Sequence, residues 1–275
     1  MQDMVTKSGD MPYRPGQEEI DASKAPLMDH LMELRQRLIY ALIGMGAGFA
    51  VCFYFARELY TLLVHPYSVA AMWATGNPEV KMIFTHPAEF FFTQLKLALF
   101  GATCLSFPNI ATQVYKFVAP GLYKNEKEAF LPYLIATPLL FVAGAAIVYF
   151  IVTPFMMYFF IKMQVTSGDL KIELLSRVAD YLSLIMTLIL GFGICFQLPV
   201  VLSLAARAGL VNGDQLRAAR KYAIVGIAAA AAVLSPPDPF SMLAMMAPTM
   251  LLYEGSIFVV DRIAKAQAAK AAAAG

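Results

Sequence analysis

The chain has 275 residues, 59% of them hydrophobic and only 15% charged, with a mean hydropathy of +0.63 and a formal net charge of +2. So little charge cannot cover a water-soluble protein of this length, and so small a net charge leaves no footprint for nucleic acid. Long apolar runs, instead of alternation, exclude a transmembrane β-barrel and predict an all-α polytopic membrane protein.

Residues 1–25 are polar and mixed in charge, and read as a cytoplasmic tail. No short apolar core before a small-residue site marks a cleavable signal peptide. Pro26–Leu38 then reads as an amphipathic helix, with Leu27, Leu31, Leu34 and Leu38 on one stripe and Asp29, Glu33 and Arg37 on a charged face. It is expected to run along the membrane surface and into a span.

The first charge-free run, Leu38–Ala56, has 19 residues, enough to cross a core of about 30 Å at 1.5 Å per residue. A polar and aromatic stretch follows, through His65, Pro66, Trp73 and Lys81. The second run, Leu97–Tyr115, continues a helix expected to begin near Pro87, to kink at Pro108 with Asn109 beside the freed backbone, and to break at Pro120-Gly121. Asn125 and Glu128 have capping-box spacing, which starts the third helix there. Its run, Ala129–Ile161, is 33 residues, so it must tilt or project, and Pro138 and Pro154 are expected to bend it.

After a polar loop over Gln164–Asp180, the fourth run covers Tyr181–Ala206, with Gln197 in its middle third and Pro199 just beyond. Gly209–Arg220 is a third polar connection. The last two runs, Tyr222–Pro237 and Pro239–Tyr253, are 16 and 15 residues, short for a full-thickness core. The expected organisation is a tail over 1–25, six transmembrane helices over 26–262 with the last two short, and a frayed, low-complexity helical tail over 263–275.

Six spans put both termini on one side. With them inside, 15 of the 21 Lys and Arg are cytoplasmic and 6 external, as the positive-inside rule favours. No internal repeat is visible. Cys52, Cys104 and Cys195 lie apart within apolar runs and read as small buried hydrophobes. His30, His65 and His86 are scattered, with no metal-ligand spacing and no phosphate loop, so no catalytic centre, cofactor or metal is expected. A small-solute transporter would want charge at mid-membrane, and no run carries Asp or Glu near its centre.

The cytoplasmic acids allow two readings. Glu33 can pair with Arg37 one turn on, and Glu126 can complement a helix N-terminus. Alternatively, Glu33 and Glu126 form a two-part carboxylate site for a cation, which suits a guanidinium fork better than an ammonium. Gln197 either bonds a neighbouring helix, satisfies the Cys195 carbonyl that Pro199 frees, or lines a cavity. Asp238 ends a turn, and Glu254 is expected to snorkel or to pair with Arg262.

His30-Leu-Met-Glu33-Leu-Arg35-Gln-Arg37 ahead of six spans resembles the start of the TatC family, the signal-peptide receptor subunits of the twin-arginine protein translocase. Pro87-Ala-Glu89-Phe-Phe, the stretch from Gln113 through Phe117, Pro120 and Lys124 to Glu126, Phe196-Gln197-Leu-Pro199, and Ser235-Pro-Pro-Asp238-Pro-Phe240-Ser follow in order. The resemblance implies a concave six-helix bundle of a bacterial cytoplasmic membrane, without enzymatic activity. It binds twin-arginine signal peptides of folded cargo and works in an oligomeric complex with single-span TatA- and TatB-type subunits, driven by the proton-motive force. It also implies that Glu33 and Glu126 meet the two arginines, with Arg35, Phe117 and Lys124 in the same peptide site. Gln197, Pro66 and Asp238 serve transport or contact with partner helices, and Met242 stands where some relatives carry a polar residue.

Overall fold

The computed structural model describes the backbone of residues 15–122, 131–167, 170–172, 174–235 and 238–274. In chain order these form α1 (Pro15–Tyr54), α2 (Ala56–Thr75), β1 (Met82–Ile83), α3 (Pro87–Leu122) and α4 (Leu131–Ile147). A π-helical turn, Val148–Val152, leads into α5 (Thr153–Lys162), then β2 (Val165–Ser167), β3 (Leu170–Ile172) and β4 (Ser176–Arg177). α6 (Val178–Cys195), α7 (Leu198–Arg207), α8 (Gly213–Leu234) and α9 (Pro239–Ala274) complete the fold.

Among the described residues, five stretches are long and apolar enough to cross a membrane: His30–Tyr54, Pro87–Phe117, Pro132–Lys162, Val178–Arg207 and Ser241–Ala269. The fifth expected run lies in α8, whose first turns carry Asp214, Arg217, Arg220 and Lys221.

Several expected boundaries move. α1 begins at Pro15, within the stretch read as a tail, and passes through Pro26 into the first span, so the helix expected from Pro26 continues straight into that span. The stretch read as polar and aromatic folds as α2, with Pro66 inside it. α3 starts at Pro87 as expected but runs through both Pro108 and Pro120-Gly121 to Leu122. Asn109 does not serve the carbonyl freed by Pro108. Its amide reaches across to the Tyr40 carbonyl of α1, 3.2 Å away. The expected start of the third helix at Asn125–Glu128 lies outside the described residues. Of the two bends assigned to that helix, Pro138 sits inside an uninterrupted α4, while the π turn precedes Pro154, which cannot donate to the carbonyl one turn back.

The connection after α7 ends at Asn212, not Arg220. Asn212 and Gln215 form a reciprocal capping box that starts α8 early. The Ala-rich tail, good helix-forming sequence, extends α9 to Ala274, and Gln267 donates to the Arg207 carbonyl at the end of α7.

α6 is the centre of the packing. Leu182, Ile185, Leu188 and Phe192 have no exposed surface, and they meet Leu97 of α3, Met156 of α5 and Met245 of α9 in one core. α4 can lie close to α6 because Gly144 abuts the Phe192 carbonyl and Gly193 accommodates the ring of Phe141. α1, by contrast, packs chiefly on α3. Gly44 leaves room for the Asn109 amide, a Cβ on Gly48 would stand 2.8 Å from Ser106 Oγ and 3.3 Å from the Ala102 carbonyl, and Ser106 donates to the Gly44 carbonyl at 3.0 Å. Small residues at such a seam bring two backbones together where lipid supplies no hydrophobic drive.

Gly46, on the same helix, faces open space. Gly48→Leu should therefore cost about 1–3 kcal/mol by overpacking the α1–α3 seam, whereas Gly46→Leu should cost nothing. Denaturant unfolding in detergent reads the difference.

Candidate functional site

The sequence-predicted residues fall in three places. The first is the half of α1 that holds Glu33. Glu33 Oε1 accepts from Arg37 Nη2 at 3.1 Å, and both side chains are about one-third exposed. The local-pair geometry is thus present. Arg35 and Leu31, Leu34 and Leu38 are exposed, so the leucine stripe faces away from the bundle. His30, three residues before Glu33 and on the same helical face, stacks on Phe117 of α3 with centroids 4.3 Å apart and rings 21° from parallel. That stack brings the turn carrying Glu33 beside the end of α3 that leads toward Glu126. Lys124 and Glu126 themselves lie outside the described residues. His30, read from the sequence as one of three scattered histidines and as the first residue of the TatC-like motif, was given no role in the site, although its place one turn before Glu33 was visible.

The second place is the break between α6 and α7. Gln197 sits in it, with Pro199 just inside α7. The Gln197 backbone N–H closes a tight bond to Ile194, three residues back, which leaves the Gly193 carbonyl without its usual partner. The Gln197 side chain takes over. Its Nε2 donates to Gly193 and to the Thr137 carbonyl of α4, each at 3.2 Å. Thr137 Oγ1 in turn bonds the Tyr115 hydroxyl of α3 at 2.7 Å. Gln197 thus bonds a neighbouring helix, and locally it serves Gly193 and not Cys195. Its Oε1 is buried without a hydrogen-bond partner among the described residues.

The third is the opposite end of the bundle. Pro66 is fully buried in α2 and has no N–H for the Leu62 carbonyl. Tyr149, on the π turn, donates its hydroxyl to Leu62 at 2.9 Å, and Tyr181 of α6 donates to Leu63 at 2.8 Å. Asp238 does more than end a turn. It caps α9, with Oδ1 accepting the Ser241 N–H at 2.7 Å, and its Oδ2 is buried without a partner among the described residues. Half-buried Met242 packs against the main core.

The sequence reading missed a clamp at this end. Glu89 Oε2, with only 8% of the side chain exposed, accepts from the backbone and hydroxyl of Thr85, both at 2.9 Å, and from Arg177 at 3.1 Å. Beside it β1 and β4 pair in parallel, Met82 with Ser176 and Ile83 with Arg177. An acid in the first turn of α3 and an arginine just before α6 were the available signals. The expected Glu254–Arg262 pair is absent. Eight residues on one helix put them about 12 Å apart along the axis, and Glu254 instead meets Arg220 of α8 at 2.7 Å while Arg262 covers Phe258. Among the described residues no group of His, Cys, Asp and Glu is placed to hold a metal.

Tyr149→Phe should cost about 1 kcal/mol, and most of that cost should vanish in a Pro66→Ala background, where α2 supplies its own donor to Leu62. Tyr181→Phe should keep its cost in both backgrounds. A double-mutant unfolding cycle separates these outcomes. Gln197→Leu should cost about 0.6–2 kcal/mol by losing the tie to α4, read as a lower melting temperature in detergent.

The profile of the TatC family, described as Sec-independent protein translocase protein (TatC), matches residues 29–248. Among curated relatives, the Sec-independent protein translocase protein TatC of Magnetococcus marinus is 42% identical over 91% of this chain and 89% of its own length. The Aquifex aeolicus protein of the same name is 38% identical over 85% of this chain and 94% of its own, and that of Escherichia coli K12 is 35% identical over 85% and 87%. A crystal structure of a twin-arginine translocase receptor, TatC, superposes with a TM-score of 0.73 at 36% identity, covering 86% of this chain and 99% of that one.

Proposed function

The chain belongs to the TatC family of Sec-independent protein translocase proteins, and from that premise we propose that it is the subunit that receives twin-arginine signal peptides of folded precursors at the cytoplasmic face. It is a multi-pass membrane component of a protein translocase and not an enzyme. The proposal places both termini in the cytoplasm, and the charge bias of 15 cationic residues against 6 supports that orientation.

The observation that carries the peptide site is the His30–Phe117 stack, which holds the exposed half of α1 against the end of α3. In this reading Glu33 and Glu126 accept the two guanidinium groups, while Arg35, Phe117 and Lys124 border them. Arg37 already occupies Glu33, so an incoming arginine exchanges one guanidinium for another. An exposed pair of this kind is worth about 0–1 kcal/mol, so displacement is cheap and two carboxylates alone cannot retain cargo. The apolar part of the signal peptide adds burial along the exposed leucines of α1, and joining the two contacts in one ligand supplies avidity.

Single-span TatA- and TatB-type subunits are the proposed partners in an oligomeric complex of the cytoplasmic membrane, with transport drawing on the proton-motive force. Gln197 serves transport by holding α4 to the α6–α7 break from inside the bundle. Pro66 and Asp238 serve transport by holding the middle of α2 and the start of α9 in place.

Crosslinking of a twin-arginine peptide tests the site. Glu33→Gln should lower the yield about threefold to fivefold, and a twin-lysine peptide should crosslink less at matched salt. Arg37→Ala should leave the yield unchanged or raise it, because it removes the internal competitor. If Arg37→Ala and Glu33→Gln weaken binding alike, the pair is structural and the assignment fails. Co-purification of membrane subunits without precursor would mark an assembly scaffold instead.

A further inference from the structure

At the end of the bundle opposite Glu33, a pocket of about 270 Å³ opens beside the β1–β4 ribbon. Its floor is one face of α2, where Tyr67, Ala71 and Thr75 follow at four-residue spacing. Its side walls are residues 79–81 and 174–175, which lead into β1 and β4. The parallel register of those strands begins only at Met82 with Ser176. Among the described residues no main-chain hydrogen bond joins Val80 to Leu174, so the two chains part around the pocket. The Tyr67 hydroxyl, 3.1 Å from Ser176 Oγ, closes the slot where the strands meet.

Two strands that diverge around an open slot are a seat for a third. We propose that this slot takes, by main-chain pairing, the short extended run of small residues that follows the apolar stretch of the signal peptide. The inference rests on the reading of the chain as a signal-peptide receptor.

Size selects the occupant. With a rise of about 3.3 Å, a strand spacing of about 4.8 Å and a half-layer of about 5 Å, a small extended residue takes about 80 Å³. The slot therefore admits about three such residues and no row of long side chains. Charge does not select. Among the described side chains, Glu79 and Lys81 share one wall with opposite signs. Lys162 donates to the Ala74 carbonyl at 2.9 Å and lies against Tyr158, and Arg177 is held by Glu89. Recognition is left to the main chain, which suits a ligand of variable sequence.

Reach agrees with size. From Glu33 to Tyr54, α1 rises about 31 Å, the length of an apolar helix of about 20 residues. From Ala56 to Tyr67, α2 covers about 17 Å more, which about five extended residues match. Secretory signal peptides carry their small residues just beyond the apolar stretch.

The test is disulfide crosslinking in membrane vesicles that hold the full chain in its complex, with the wild type as the blank. The probe is a twin-arginine signal peptide with one cysteine about six residues beyond its apolar stretch. Val80→Cys and Leu174→Cys should both capture it. A peptide N-methylated at the two residues flanking that cysteine lacks their main-chain donors and should be captured about tenfold less. Tryptophan at the same two residues should have a similar effect, and neither change should alter crosslinking beside Glu33. Capture beside Glu33 without capture at both Val80→Cys and Leu174→Cys would overturn the proposal and leave the peptide site standing, as would equal capture of the N-methylated peptide. No capture at either end would overturn both readings.

Discussion

Every carbonyl buried among apolar helices must find a donor, because neither lipid nor hydrocarbon side chains can supply one. Most of this chain meets that demand with regular helix. At two interruptions it does so with long side chains. Tyr149 and Tyr181 reach the carbonyls beside Pro66, and Gln197 reaches Gly193 at the α6–α7 break while also holding Thr137 of α4. Each interruption therefore ties neighbouring helices together, and α6, which takes part in both, becomes the centre of the bundle.

That arrangement divides the candidate residues by kind. Pro66 and Gln197 belong to the internal framework, and substitutions there act first through helix placement. Glu33, Arg35 and Phe117 belong to the α1–α3 edge, where α1 leans on α3 and leaves its leucine stripe uncovered. An edge with exposed charge and exposed leucine is what a partly apolar, partly cationic peptide can use. The internal framework and the exposed edge answer to different measurements, one to unfolding and the other to binding.

The apolar runs were legible in the sequence because span length depends on bilayer thickness, which context hardly changes. The positions of Glu33, Gln197 and Asp238 were legible for the same reason, as polar residues at the margins or interior of such runs. α2 was not, because its mixed polar and aromatic surface has neither the length nor the purity of a span. Helix ends at Leu122 and Gly213 were misplaced because Pro120-Gly121 is a weaker terminator than its composition suggests and because the Asn212–Gln215 box outweighs a run of charge. The pairing of Glu254 with Arg220 joins distant segments, and local spacing carries no trace of it; for Glu89 and Arg177 the sequence offered only an acid at one helix start and an arginine before another, with nothing to join them.

The parallel pairing of residues 82–83 with 176–177 has a consequence for how the molecule is made. The two strands enclose α3, α4 and α5 between them, so the ribbon cannot close until all three have left the ribosome and α6 is emerging. The α1–α3 seam needs none of that later chain. Assembly is therefore staged by synthesis: a two-helix unit comes first, and the far face is sealed late, once the central helix has arrived to receive it.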